Sequence, residues 1–299
     1  MIKNLALMGV PSSAGARRTG QELTPQWLRD AGLLDRFRSA GIEAIDLGDL
    51  PKVSYRPDAL NPKQQNLPAV VDMLKLVEQS VDNAAANHTW PLVIGGDCTI
   101  TLGVIAGLVK RFPNLGLIYF DGDVDMNTPD TTISGIFDGM VLAHILGGGA
   151  EELSRLGPRY PLLQEQDITL FGYSLEAGGI DPVEVERLRD SVMAKVPAVE
   201  VNGKPGHAAA QALRDLEGKV ENILIHFDVD VVDFDDFPAA DVPHKPGLSL
   251  DQARKALEIF LASPKVVGLV LTEFNASRDG DGRLARRLID TLVSAITRR

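Results

Sequence analysis

Apolar runs of strand length that end abruptly in polar residues recur along this chain, and this pattern constrains its fold more than any other feature. Gly116–Phe120 runs into Asp121-Gly-Asp123-Val-Asp125, and Asn222–Phe227 runs into Asp228-Val-Asp230. Pro91–Ile94 ends in Gly95-Gly96-Asp97-Cys98, and Val266–Leu271 ends in Thr272-Glu273-Phe274-Asn275. Short continuous apolar runs bounded by turn residues suit strands buried on both faces, as in a parallel sheet covered by helices. In such sheets ligands bind outside the carboxyl ends of the strands, which is where all four polar clusters fall. One site built from four strand ends is expected.

Between these runs the spacing changes to that of helices. Leu5–Val10 reads as a first strand, followed by a loop from Pro11 to Gly20 whose small residues suit close approach to a ligand or to neighbouring backbone. Thr24-Pro25 predicts a helix to Gly32, with Thr24 as N-cap and Pro25 at the first helical position. Helices are also predicted for Pro68–His88, Thr99–Phe112, a segment from Ser134 through Leu146, Val183–Val196, His207–Glu217, Leu250–Leu261 and Gly282–Thr297. Further strands are predicted at Ile42–Leu47 and Ile168–Tyr173. The alternation continues without a low-complexity linker, which predicts one α/β domain over residues 1–299.

The side-chain period of a strand is two, so Asp121, Asp123 and Asp125 point the same way if the backbone stays extended. Three like charges on one face need a counter-charge. Hard divalent cations supply one, because they take carboxylate oxygens and a buried unpaired carboxylate is costly. For one such segment a solvated acidic loop is an equally good reading. The recurrence of spaced acids at Asp228 and Asp230 tips the balance toward a site holding more than one metal ion. His226 is in step with these acids, either as a metal ligand or as a histidine satisfied in the core.

With 299 residues, 44% hydrophobic and 24% charged, the chain has the composition of an ordinary soluble globular protein. Its net charge of -11 argues against nucleic acid or an anionic membrane as the main partner and is compatible with a small cationic substrate. The single cysteine, Cys98, excludes an intrachain disulfide framework and suits a reducing compartment. No apolar run reaches the ~18 residues of a membrane span. Met1–Val10 leads straight into Pro11 and a turn, as a first strand does and a signal peptide does not, so a cytoplasmic location is expected.

Gly9-Val-Pro-Ser-Ser, Leu28-Arg-Asp-Ala-Gly-Leu-Leu, the turn at Gly95-Gly96-Asp97, the two acidic strand ends and Thr272-Glu273-Phe-Asn275 follow one another in a familiar order. The chain resembles the ureohydrolases, the family of arginase, agmatinase and formiminoglutamase, over nearly its whole length. The resemblance implies a three-layer α/β/α fold on a mainly parallel central sheet, usually assembled into homotrimers or homohexamers. It implies two Mn²⁺ ions activating a bridging hydroxide that attacks a guanidinium carbon. By motif, Asp121 and Asp228 are the bridging carboxylates, with Asp125 on one metal and Asp230 on the other. Asn127 and Ser134 match positions that hold the substrate's amino-acid end, Glu273 matches the acid that pairs with the guanidinium, and Glu176 is expected near the substrate's amino group.

Three positions depart from the family pattern. Gly-Gly-Asp-His is here Gly95-Gly96-Asp97-Cys98, Asp-Ala-His-x-Asp is Asp121-Gly-Asp123-Val-Asp125, and Ser-Gly-x-x-His-Gly is Ser134-Gly-Ile-Phe-Asp138-Gly139. Cys98 and Asp123 thus stand where imidazole ligands are expected, and Asp138 stands where the proton-transfer histidine is expected. A thiolate and an extra carboxylate would make the shell more negative and its metals weaker Lewis acids, and thiolate is softer than Mn²⁺ prefers. As an alternative, Cys98 is a small buried hydrophobe. A weaker site suits an easier reaction, and cysteine at this position is associated with the family branch that hydrolyses N-hydroxyarginine, a less basic hydroxyguanidine. The loss of three histidines also raises a competing expectation, a metal-depleted binding or regulatory subunit. His244 follows the second acidic strand within loop reach of the site, whereas His88, His144 and His207 read as structural or exposed.

Overall fold

The computed structural model describes residues 4–175 and 181–298. Its strands are β1 (Leu5–Val10), β2 (Ala44–Asp49), β3 (Trp90–Gly95), β4 (Leu115–Phe120), β5 (Ile168–Phe171), β6 (Ala194–Val196), β7 (Asn222–Asp228) and β8 (Val266–Thr272). They form one sheet in the order β2-β1-β3-β8-β7-β4-β5-β6, and each pairing among them is parallel. The four polar-ended runs picked out in the sequence are therefore β3, β8, β7 and β4, the adjacent central strands. Their carboxyl ends lie side by side, which is what makes one site of them.

Central parallel strands must be covered on both faces, and their alternation decides which side chain goes where. Ile118, Phe120, Ile225, Phe227 and Leu271 pack with the helices Leu33–Ser39, Pro205–Glu217, Leu250–Leu261 and Arg283–Thr297. On the other face Leu117, Tyr119, Leu224 and Val270 pack with the helices Leu67–Ala86, Ile100–Leu108 and Val141–Ile145. The result is the expected three-layer sandwich. His226 falls on the second face, in register with Tyr119 of β4 and Val270 of β8.

Several local expectations are corrected. The helix expected over Val183–Val196 spans only Pro182–Asp190, because the backbone turns extended at Ser191 (ψ 147°) and Ala194–Val196 pairs with Thr169–Phe171 as an edge strand. The segment from Ser134 becomes helical only at Asp138. Before it, Gly135 adopts a positive φ of 71°, where a Cβ would lie 1.9 Å from the Pro62 carbonyl oxygen. Thr24 does not cap its helix; its hydroxyl donates to the Phe274 carbonyl and ties the helix to the end of β8. β4 stops at Phe120, so the acids that follow are not on an extended strand. Among the described residues, no helix is long and apolar enough to cross a membrane.

Candidate metal centre

Where β4 and β7 stop, the first aspartate of each folds back on the chain that follows. Asp121 Oδ1 accepts from the Asp123 amide at 2.7 Å, and Asp228 Oδ1 accepts from the Asp230 amide at 2.7 Å. These Asx turns engage one oxygen of each carboxylate and leave the other to the neighbouring strands. Asp121 Oδ2 lies 3.2 Å from His226 Nε2, and Asp228 Oδ2 lies 2.7 Å from Cys98 Sγ. The two turns are joined where the Gly122 amide donates to Asp230 Oδ1 at 3.0 Å. Asp125 and Glu273 have positive φ values of 51° and 63°. Such left-handed residues cost on the order of 1–3 kcal/mol each and cluster at functional sites. The Tyr119 hydroxyl donates to Asp125 Oδ2.

These groups line a cavity of about 440 Å³. Cys98, Asp121, Asp123, Asp125, Asn127, Ser134, Asp138, Asp228, Asp230 and Glu273 all face it, so every site residue nominated from sequence is brought together except Glu176, which lies outside the described residues. Arg17, Asp181 and Glu184 also line the cavity and were not nominated. The signal for Arg17 was its place in the small-residue loop after β1. Asp181 and Glu184 have none in the sequence beyond their place at the start of a helix, where Glu184 Oε2 accepts from the Asp181 amide at 3.2 Å.

The electrostatics are unfavourable without a cation. Asp121, Asp125, Asp228, Asp230 and Glu273 are all buried, and among the described residues the ion pairs of Asp121 and Asp230 are to histidines alone. Burial, and then repulsion from neighbouring carboxylates, pushes Asp121, Asp125 and Asp228 well above the usual carboxylate range. Burial and the Asp138 charge do the same to Glu273, and burial and the Asp97 charge to Asp138. Burial and the Asp228 charge likewise push the Cys98 thiol up. It stands 3.2 Å from Thr272 Oγ1 as well as close to Asp228.

Two histidines complete the cluster. The donor atoms of Cys98, Asp121, His226 and Asp228 lie within 4.8 Å of one another, and so do those of Asp123, Asp230 and His244. A third group comprises Cys98, Asp138 and Glu273. Three buried atoms here have no hydrogen-bond partner: Glu273 Oε1 and both ring nitrogens of His244. Carboxylate and imidazole donor atoms gathered within this distance, with Glu273 Oε1 unpartnered beside them, fit bound divalent ions such as Mn²⁺. His144, in contrast, is satisfied within its own helix region, as its apolar surroundings predict.

The arginase family model matches residues 3–297. The chain is 27% identical to the arginase of Bacillus caldovelox over 287 residues, 95% of each chain, and 29% identical to that of Brevibacillus brevis over 296 residues, 98% of each. Its structure is similar to the crystal structure of arginase from Bacillus cereus, with a TM-score of 0.89, 27% identity and 98% of both chains covered. The likeness runs over nearly the whole chain, and on this evidence the chain belongs to the arginase family.

Proposed function

We propose that this cavity hydrolyses a linear amidine, an arginine-like guanidino or N-hydroxyguanidino compound, in a metal-dependent reaction that releases urea or hydroxyurea. The observation that carries this reading is the set of buried acids Asp121, Asp125, Asp228 and Asp230 at adjacent strand ends, sharing one cavity with Glu273. Those acids, with Cys98 and Asp123 beside them, would hold the two Mn²⁺ ions that the family implies. Bound ions supply a nucleophile at neutral pH and polarise the amidine.

The remaining roles follow from the side chains. Gln21 Nε2 donates to Glu273 Oε2 at 2.8 Å and leaves Oε1 unpartnered, a free acceptor for an N–H of the substrate's guanidino group. Asp138 accepts from the Cys98 amide at 2.8 Å through Oδ1. Its raised pKa suits it to carry a proton to the leaving amine. Asn127 and Ser134 are assigned to the substrate's amino-acid end and Glu176 to its amino group. Arg17 on the cavity wall adds a cation that suits a carboxylate on the same substrate.

A guanidinium is strongly basic and stays charged, so attack at its carbon needs a potent nucleophile. The extra carboxylate at Asp123 would make the metals weaker Lewis acids and bound water harder to deprotonate, which suits the less basic hydroxyguanidine, and we propose that N-hydroxyarginine is preferred over arginine. The metal-depleted, non-catalytic reading rested on missing imidazoles and is not favoured, because two imidazoles stand in the donor groups. The test is release of urea or hydroxyurea from arginine, agmatine and N-hydroxyarginine with Mn²⁺ supplied. Faster hydrolysis of arginine would overturn the substrate preference, and no turnover of any amidine would overturn the enzyme reading.

A further inference from the structure

Two imidazoles are missing from the positions where this family carries them, yet two others reach the same place from different elements. We infer that His226 and His244 replace them as metal ligands, His226 beside Cys98 and His244 beside Asp123. This rests on the metal-dependent reading above and deepens it.

His226 projects from the middle of a rigid strand. Its ring stacks on Tyr119 with centroids 4.2 Å apart and planes 6° from parallel, and Nδ1 lies 2.8 Å from Thr101 Oγ1. One nitrogen and one face are therefore fixed, and only Nε2 remains, 3.2 Å from Asp121 Oδ2 and 3.6 Å from Cys98 Sγ. A metal-ligating imidazole is normally held in this way, with its second nitrogen anchored outside the metal shell.

His244 comes from the loop between Val232 and Ser249. That loop is closed at its base by the Val232–Leu248 bridge and by the Asp233 amide donating to the Leu248 carbonyl at 2.7 Å. The histidine is 1% exposed, with Nε2 at 3.2 Å from Asp123 Oδ2 and 3.6 Å from Asp230 Oδ2. Neither contact has hydrogen-bond geometry. A buried nitrogen that is close to two carboxylates but aligned with neither is arranged as ligands are around a shared cation.

The neighbouring glycine supports the same conclusion. A Cβ on Gly122 would lie 2.6 Å from His244 Cδ2. The family motif has alanine here, followed by the histidine that is Asp123 in this chain. The small residue makes room for the imidazole, which reaches this group from the loop while a carboxylate, Asp123, stands at the strand end.

Pulsed electron paramagnetic resonance of the Mn²⁺-loaded full chain reads this directly, because imidazole nitrogen bound to Mn²⁺ gives a ¹⁴N modulation. The wild type should bind two Mn²⁺ by calorimetry and show ¹⁴N coupling. His244→Ala should weaken one ion at least about tenfold, the scale of losing a metal-site partner, and keep the other. His226→Ala should weaken the ion that His244→Ala leaves intact. His226 is fully buried, so if that variant does not fold the wild-type spectrum and His244→Ala decide. Two bound ions without ¹⁴N coupling, or wild-type affinity for both ions in His244→Ala, would overturn the ligand assignment and leave the hydrolase reading standing. A wild type that binds no Mn²⁺ would overturn both.

Discussion

His144 and His244 are equally buried and are held in opposite ways. His144 Nδ1 donates to the Met140 carbonyl at 2.7 Å and Nε2 accepts from the Ala150 amide at 3.0 Å, so a neutral ring is satisfied at both nitrogens and burial holds its pKa down to about 4. For His244, burial also opposes charge, but Asp230 and Asp123 outweigh it and push the pKa up to about 11. Burial alone therefore does not tell a structural histidine from a functional one. What the nitrogens face decides it: backbone groups in one case, and in the other the carboxylates of Asp123 and Asp230.

If the acids held no cation, the two histidines would differ only in their neighbours, and Asp228 tests this most severely. Asp228→Asn removes a carboxylate from the strand half of the cluster, and Mn²⁺ content after buffer exchange should fall to near zero. Activity should drop on the order of 10³-fold, as expected when several kcal/mol of metal-derived stabilisation is lost. Full Mn²⁺ retention by elemental analysis would mean that the acids are not the ligands.

His144 supplies the structural side of the contrast. Its folded pKa lies below the unfolded value, so the unfolded chain takes up a proton first as pH falls. Its contribution is complete above about pH 6.5 and is lost toward pH 4, amounting to about 3 kcal/mol over that window. Urea denaturation across this range, with chelator present, should show a shallower pH dependence in His144→Gln. An unchanged slope would assign the acid sensitivity to other groups.

Gly122→Ala should sharpen the difference from the other side. The added methyl pushes on His244, and affinity for one of the two ions should fall about tenfold while the fold, read by circular dichroism, is kept. Equal affinity would show that the loop yields freely. The smallest effect is expected from Tyr119→Phe, which keeps the ring under His226 and removes the hydroxyl from Asp125. A loss of about 1 kcal/mol in thermal stability is expected, the size of one hydrogen bond. A large loss of metal would instead make the phenol part of the metal support.

Much of this was legible in the sequence because its signals are local. Apolar runs mark strands, and the acids at Asp121, Asp125, Asp228 and Asp230 stand directly after them, so both the central strands and their site could be read. β6 could not, because the three residues Ala194–Val196 are too few to show a period and pair only because β5 offers an open edge. The turn at Asp125 could not be read either, since a left-handed aspartate is set by its surroundings. His226 was seen in phase with the acids, but its stacking on Tyr119 depends on the β4–β7 register. His244 gave the weakest signal, because the base of its loop and the room at Gly122 are properties of the fold.

That room also bears on how such a site can be reached by single substitutions. With alanine at position 122 the space for His244 Cδ2 is taken, since the Cβ would stand 2.6 Å away. An imidazole at position 244 would then have to shift away from the cluster. On the ligand assignment inferred above, glycine at position 122 is what lets an imidazole at position 244 stand beside a carboxylate, rather than an imidazole, at position 123.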